Sequence, residues 1–281
     1  MSDAVHSLPE LKDPYHVRDE QIRDYRECGH VLLRGILSRD EVEIYREVIK
    51  AAACARFGRI PGMADRDEDD FSRIFLQAFN IRETDPGAAR FILSPRFGKI
   101  VADLMGVEGV RIYYDKAMFK EPDSRLTPWH QDGPHWPLYG DNVLTFWIPL
   151  VDVEPDMGPL RFAKGTHRRK GFGPRGIHKD AHRFYEAYIR EHQIPVLEEP
   201  LKAGDATLHN HWVLHGAGRN TSGMIREVMG MTFYEDGMVV DDSACDESAR
   251  PIIDASLGNR RPGELAESDR NQVVYSESKG F

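Results

Sequence analysis

Val110-Arg111-Ile112-Tyr113-Tyr114-Asp115-Lys116-Ala117-Met118-Phe119 is rich in β-branched and aromatic residues, and it marks where the character of the sequence changes. Beyond it the same composition returns at Val143 to Val151, Leu160 to Ala163, Ala206 to Leu214 and Ile225 to Tyr234. Turn clusters separate these runs, Glu154-Pro155-Asp156-Met157-Gly158-Pro159 and the stretch from Gly216 to Gly223 among them. Short strands punctuated in this way predict a β-barrel or sandwich over about residues 109–236.

The chain before this core, from about residue 18 to 106, reads as helices. Ser38-Arg39-Asp40-Glu41 is a capping box, in which hydroxyl and carboxylate satisfy opposite backbone donors. Val42, Tyr45, Ile49 and Ala52 then recur at helical spacing until Gly58. Asp85-Pro86 and Ser94-Pro95 each offer a cap followed by proline at the first helical position, and Gly106 stops the second of these helices. The acidic run from Asp65 to Asp70 reads as a solvated loop, and Phe71, Ile74, Phe75 and Phe79 after it as core or a lid. A helical insertion is predicted around Asp180 to His192, with Phe184, Ala187 and Tyr188 on one face. The last forty residues read as an irregular tail. All 281 residues are expected to form a single domain with an all-β core and flanking helices, an α+β arrangement.

Composition removes several function classes. The chain is 41% hydrophobic and 30% charged, and no apolar stretch approaches the roughly 20 residues that cross a bilayer. With no basic segment and apolar core at the N-terminus, the expected compartment is the cytoplasm. A formal net charge of -9 argues against a phosphate backbone as partner. Cys28, Cys54 and Cys245 are odd in number and far apart, which fits neither a disulfide framework nor a thiolate metal site.

The chemistry centres on Thr127-Pro128-Trp129-His130-Gln131-Asp132-Gly133. In an extended strand alternate side chains share a face, so His130 and Asp132 can point at one metal ion while Gln131 points away. Alone this pair is a weak signal, since a loop aspartate bonded to a half-buried histidine looks the same. A second segment, from Gly204 to Asn220, supplies a third ligand from another strand. Its residues His209, His211 and His215 would share one face of a straight strand, so spacing leaves the choice open. Two imidazoles and one carboxylate leave three positions free, which suits iron(II) binding a bidentate co-substrate and dioxygen. A redox-neutral zinc enzyme could use the same ligands. Arg226 opens the next strand, where its guanidinium can pair bidentately with the far carboxylate of a dicarboxylic co-substrate. Arg219 sits in the turn and ranks below it.

Taken together, Trp129-His130-Gln131-Asp132, Gly158-Pro159-Leu160-x-Phe162-x-x-Gly165-Thr166-His167, Gly204-Asp205-Ala206, His215-Gly216-Ala217-Gly218-x-Asn220 and the downstream Arg226 resemble the phytanoyl-CoA dioxygenase family. The resemblance runs from about Val31 to Tyr234. It implies a double-stranded β-helix, or jelly roll, covered by helices. It implies an oxygenase coupling oxidative decarboxylation of 2-oxoglutarate, with release of succinate and CO2, to hydroxylation of a small-molecule substrate. By this resemblance His130, Asp132 and His215 are the iron(II) ligands, Arg226 anchors 2-oxoglutarate, Lys120 lies near it and Trp147 lines it. His209 and His211 become packing or supporting groups, and His167 closes a turn. Ala217 departs from members with Ser or Thr there, so one hydroxyl contact to the co-substrate is missing. Asp132 argues against the halogenating variant, which has a small residue in its place.

Candidate substrate contacts are Gln131, His135, Trp136, Tyr114 and Lys116 from the barrel, with Gln77 and Asn80 from the helical part. Lys116 shares a strand face with Tyr114, Met118 and Lys120, where it either meets an anionic substrate or is solvated. The rival readings are a non-catalytic metal- or ligand-binding jelly roll, which would lack a ligand or the arginine, and a redox-neutral metal-dependent isomerase, which leaves Arg226 unexplained.

Overall fold

Ser38 caps its helix as its sequence requires: its Oγ accepts from Glu41 N at 3.2 Å, and its own N–H donates to the Glu41 carboxylate at 2.7 Å. The computed structural model describes residues 7–58, 62–67, 71–243 and 255–279, and the elements follow in the order α1 (Asp19–Cys28), β1 (His30–Leu33), α2 (Arg39–Phe57), β2 (Leu76–Phe79), α3 (Pro86–Ile92), α4 (Pro95–Met105) and β3 (Gly109–Lys120). Then come β4 (Thr127–His130), β5 (Val143–Pro149), β6 (Leu160–Ala163), α5 (Lys179–Glu191), β7 (Val196–Glu198), β8 (Ala206–Asn210), β9 (His215–Ala217), β10 (Arg226–Glu235) and β11 (Val273–Ser276). Asp85 and Ser94 cap α3 and α4 with proline in the first turn, as predicted.

Two antiparallel sheets make the core. The larger runs β1-β8-β5-β10-β3-β11, with β2 also on β3; the smaller runs β4-β9-β6-β7. They form the jelly-roll pair without closing into a barrel. The period of two assigns each strand residue of the large sheet to a face. Outward go Phe146 and Ile148 of β5, Met229, Met231 and Phe233 of β10 and Leu208 of β8, buried under Tyr45 and Ile49 of α2, Phe91 of α3 and Phe97 and Ile100 of α4. Burying such a side chain stabilises the fold by about 1.5–3 kcal/mol, so this layer holds the helices on the sheet. The inward faces are left for the site. Among the described residues no helix is long and apolar enough to cross a membrane.

Four expectations change. The helical part also contains β1 and β2, four-residue strands too short for a period to show and fixed by pairing to β8 and β3. The run from Ala206 to Leu214 is not one strand: β8 ends at Asn210, whose side chain accepts from Trp212 N at 2.9 Å, and the chain turns to re-enter as β9 in the other sheet. Helix α5 buries Ala181, Tyr185 and Ile189 while Phe184 is exposed, because the strict four-residue spacing outweighs the bulk of one aromatic ring. The tail is not wholly irregular, since β11 pairs with β3. Asp65 closes a short helical turn, whereas residues 68–70 of the acidic run and Cys245 lie outside the described residues.

Candidate metal centre and active site

Strand β4 delivers His130, and the short turn after it presents Asp132; β9 lies beside β4 with His215 opposite His130. One ligand atom from each of these three side chains lies within 4.8 Å of the others, and all three residues are buried. His130 Nε2 is 3.5 Å from Asp132 Oδ1, and His215 Nε2 is 3.8 Å from Asp132 Oδ2. Both imidazoles are oriented from behind. His130 Nδ1–H donates to the Pro128 carbonyl at 2.8 Å and His215 Nδ1–H to the Val213 carbonyl at 3.1 Å, which leaves both Nε2 atoms free to ligate. Burial, and then the neighbouring His130, hold His215 well below the usual histidine range, so it stays neutral as a ligand must. Burial works against the charge of Asp132, but the three imidazoles that face it, His215, His130 and His209, outweigh it and hold the carboxyl well below its ordinary range. A neutral, neutral and anionic donor set on one side, with a cavity on the other, fits a divalent iron ion.

The motif residues explain how the ligands are held. Thr166 Oγ1 donates to the Ala163 carbonyl at 2.8 Å and accepts from Leu214 N at 2.9 Å, pinning the residue before His215. Phe162, opposite His215 on β6, stacks on His30 at 3.8 Å and lies 5.2 Å from His209. Burial pushes His30 down to about 3, so it too is neutral.

A cavity of about 650 Å³ opens beside this group. Its floor is the inward face of the large sheet. His130, Asp132, His215, Arg226, Trp147, Tyr114, Lys116, His135, Trp136, Gln77 and Asn80 all border it. Arg226 is buried, donates to the Gly158 carbonyl, lies 5.3 Å from the Trp147 ring and leaves its Nε without a partner. Burial lowers the guanidinium to about 9. Gly158 holds φ +67°, and a Cβ there would come within 2.4 Å of the Gly218 carbonyl oxygen, so the carbonyl facing Arg226 requires glycine.

Two expected residues stand elsewhere. Lys120 pairs with Arg226 in register, but its ammonium is taken up by the carbonyls of Ile74, at 3.1 Å, and Arg125, and it does not border the cavity. Gln131 points away, donating to the Arg169 carbonyl at 2.8 Å and to that of Trp212. His211 is buried but turns away from the metal group, bonded to the Gly140 carbonyl at 2.9 Å and stacked on Trp136. His209 is the residue whose position spacing obscured. It faces the metal group, with Nε2 at 3.7 Å from Asp132 Oδ2. The outer wall brings the Phe71–Phe75 segment together with Ile177 and Ala255 from two others, which no local pattern could connect.

Comparison with known proteins agrees with this geometry. The family model for phytanoyl-CoA dioxygenase (PhyH) matches residues 25–228. Among curated relatives, a 1-deoxypentalenic acid 11-beta-hydroxylase of Streptomyces arenae is 28% identical over 79% of this chain and 80% of its own length. A probable alpha-ketoglutarate-dependent hypophosphite dioxygenase of Stutzerimonas stutzeri is 23% identical over 75% of this chain and 76% of its own. Among solved structures, the non-heme alpha-ketoglutarate-dependent carbocyclase SnoK of nogalamycin biosynthesis superposes with a TM-score of 0.75 at 24% identity, over 93% of this chain and 99% of SnoK, and so shares the fold. A match spanning most of the chain, over a buried group of two histidines and an aspartate, makes this protein an iron- and 2-oxoglutarate-dependent dioxygenase that belongs to the phytanoyl-CoA dioxygenase family.

Proposed function

We propose that the chain oxidises a C–H bond of a small molecule, with His130, Asp132 and His215 holding iron(II) and Arg226 holding the far carboxylate of 2-oxoglutarate. The helices and the jelly roll act as one domain on this reading, and the exposed thiol of Cys54 suits the reducing cytoplasm. Bound iron supplies the oxidising chemistry, using dioxygen and the decarboxylation of 2-oxoglutarate to succinate. The protein supplies placement. His130 and His215 present Nε2 because their Nδ1–H groups are committed to backbone carbonyls. Asp132 stays ionised within a buried cluster. Arg226 offers an unpaired Nε–H from a buried guanidinium, and a charge-assisted pair with a carboxylate is strong in such a place. Trp147 lies against that guanidinium and limits its freedom. One curated relative is named a probable hypophosphite dioxygenase and another a 1-deoxypentalenic acid hydroxylase, so the reading commits to a small molecule and, with the second, to hydroxylation.

The observation that carries this reading is the placing of a buried, incompletely bonded Arg226 on the same cavity as the three-residue ligand group. Iron(II) followed by 2-oxoglutarate, added without oxygen to metal-free protein, is expected to give the weak visible band of a chelated keto acid. Arg226→Ala should need far more 2-oxoglutarate to reach that band, and Asp132→Ala should lose it. A wild-type protein that binds zinc tightly and gives no band would return the site to redox-neutral chemistry.

A further inference from the structure

Two cations of the large sheet, Arg226 and Lys116, border the cavity, and the reading above gives an anion to only one. In register, Arg226 of β10 lies opposite Lys120 of β3, whereas Gly230 lies opposite Lys116. Arg226 and Lys116 are therefore set four residues apart along neighbouring strands, about 13 Å at the rise of an extended chain. Lys116 is half-buried and borders the cavity. Its Nζ lies 5.6 Å from the Tyr114 ring, and it makes no hydrogen bond or ion pair with any described residue, although the Asp132 carboxylate on the same cavity attracts it without contact. A cation withdrawn from water with no acceptor costs stability unless a ligand supplies one.

Its place is also shaped. The aliphatic stem lies over Gly230, where a Cβ would come within 2.9 Å of Met118 Cε, 3.3 Å of Lys116 Cγ and 3.5 Å of its Cε. Glycine in the middle of a central strand weakens it, and here it leaves space that Met118 and the lysine stem share. Around the ammonium the walls are apolar: Phe79 is its register partner on β2 and meets Tyr114 edge-on at 5.8 Å, and Tyr114 meets Trp136 at 5.8 Å. Phe71, Phe75 and Ile177 continue this wall.

We infer that the substrate is an apolar small molecule bearing one anionic group, and that Lys116 receives that group while Phe79, Tyr114 and Trp136 hold the body. The inference rests on the iron and 2-oxoglutarate reading for which site is the active one, and it deepens that reading by naming the substrate class. In the apolar surroundings a carboxylate pairs with the ammonium more strongly than in water, and a neutral analogue leaves the charge unmet.

The test uses matched probes, decanoate against decanamide and 1-adamantanecarboxylate against its carboxamide. Each is titrated by calorimetry into metal-free protein and into anaerobic protein loaded with iron(II) and 2-oxoglutarate. Wild type is expected to bind the carboxylate of at least one pair about tenfold more tightly than its amide, a difference of about 1.4 kcal/mol. Lys116→Met should reduce that ratio to near one, and Lys116→Arg should keep it. Affinity for 2-oxoglutarate should be the same in all three proteins. Equal binding within both pairs, or none, overturns the inference. So does a Lys116→Met protein that loses 2-oxoglutarate affinity while keeping its preference for carboxylates. A protein that takes up neither iron nor 2-oxoglutarate defeats the enzymatic reading instead, and the ratio on metal-free protein still decides the role of Lys116.

Discussion

His209 Nε2 stands 3.7 Å from Asp132 Oδ2, the same oxygen that lies 3.8 Å from His215 Nε2. One carboxylate oxygen thus faces two imidazoles from different sheets. If His215 is the ligand and His209 the group that steadies Asp132, His209→Phe should weaken iron(II) binding by about 10- to 100-fold, the usual effect of losing a residue that supports a ligand. His215→Ala should abolish binding in the same anaerobic titration. Equal losses in the two variants would make His209 a ligand.

Arg226 carries a charge that the protein alone does not neutralise. Arg226→Met should therefore be at least as stable as wild type when 2-oxoglutarate is absent, because it removes an uncompensated buried charge. Ligand linkage separates the two proteins further. At a 2-oxoglutarate concentration 100 times the wild-type Kd, wild type should gain about 2.7 kcal/mol, and the variant should gain little. Thermal melts over a 2-oxoglutarate series give the answer, and an equal gain in both proteins would remove Arg226 from the co-substrate site.

Burial, with Arg226 and Arg219 nearby, lowers the Lys120 ammonium to about 6 from an ordinary value of 10.5. Between those values the unfolded chain holds a proton that the folded chain does not, so this group adds stability as pH rises. The contribution is complete above 10.5 and lost as pH falls through about 6. The stability of wild type relative to Lys120→Met should therefore shrink as pH is lowered from 9 to 6 in urea melts. A pH-independent difference would show that Lys120 stays charged in the fold.

Asn220 is fully buried in the turn that leads to Arg226. Its amide donates to the carbonyls of Lys120 and Met224, each at 2.8 Å, and its oxygen accepts from Ser222 N at 3.1 Å. Asn220→Ala leaves those carbonyls without donors and should cost about 1–3 kcal/mol. Since the turn sets where β10 begins, the KM for 2-oxoglutarate should rise several-fold while iron affinity holds. Loss of iron binding as well would show that the turn supports the whole site rather than Arg226.

The sequence showed most where a residue type and a period act together. Ser38 with Glu41, and the prolines after Asp85 and Ser94, mark helix starts by local hydrogen bonding, and the structure has helices there. His130 and Asp132 are two apart at a strand end, and they do converge. Spacing could not choose among His209, His211 and His215, because it assumes a straight strand and the chain breaks at Asn210. After the break, His209 and His215 face the same group from opposite layers while His211 turns away. The direction of Lys120 was equally hidden, since it depends on carbonyls supplied by Ile74, 46 residues earlier, and by Arg125 in the loop that follows β3.

The break in the chain after β8 also divides the labour of the site. His130, Asp132 and His215 come from the small sheet and its turn, whereas Arg226, Trp147, Lys116, Tyr114 and Gln77 project from strands of the large one. Whatever bridges iron and Arg226 is then a strut between two layers. On the proposed reading, the wall that meets the substrate can be redrawn by mutation on β2 and β3 without disturbing the layer that holds iron, which makes this architecture a natural starting point for changing substrate while keeping chemistry.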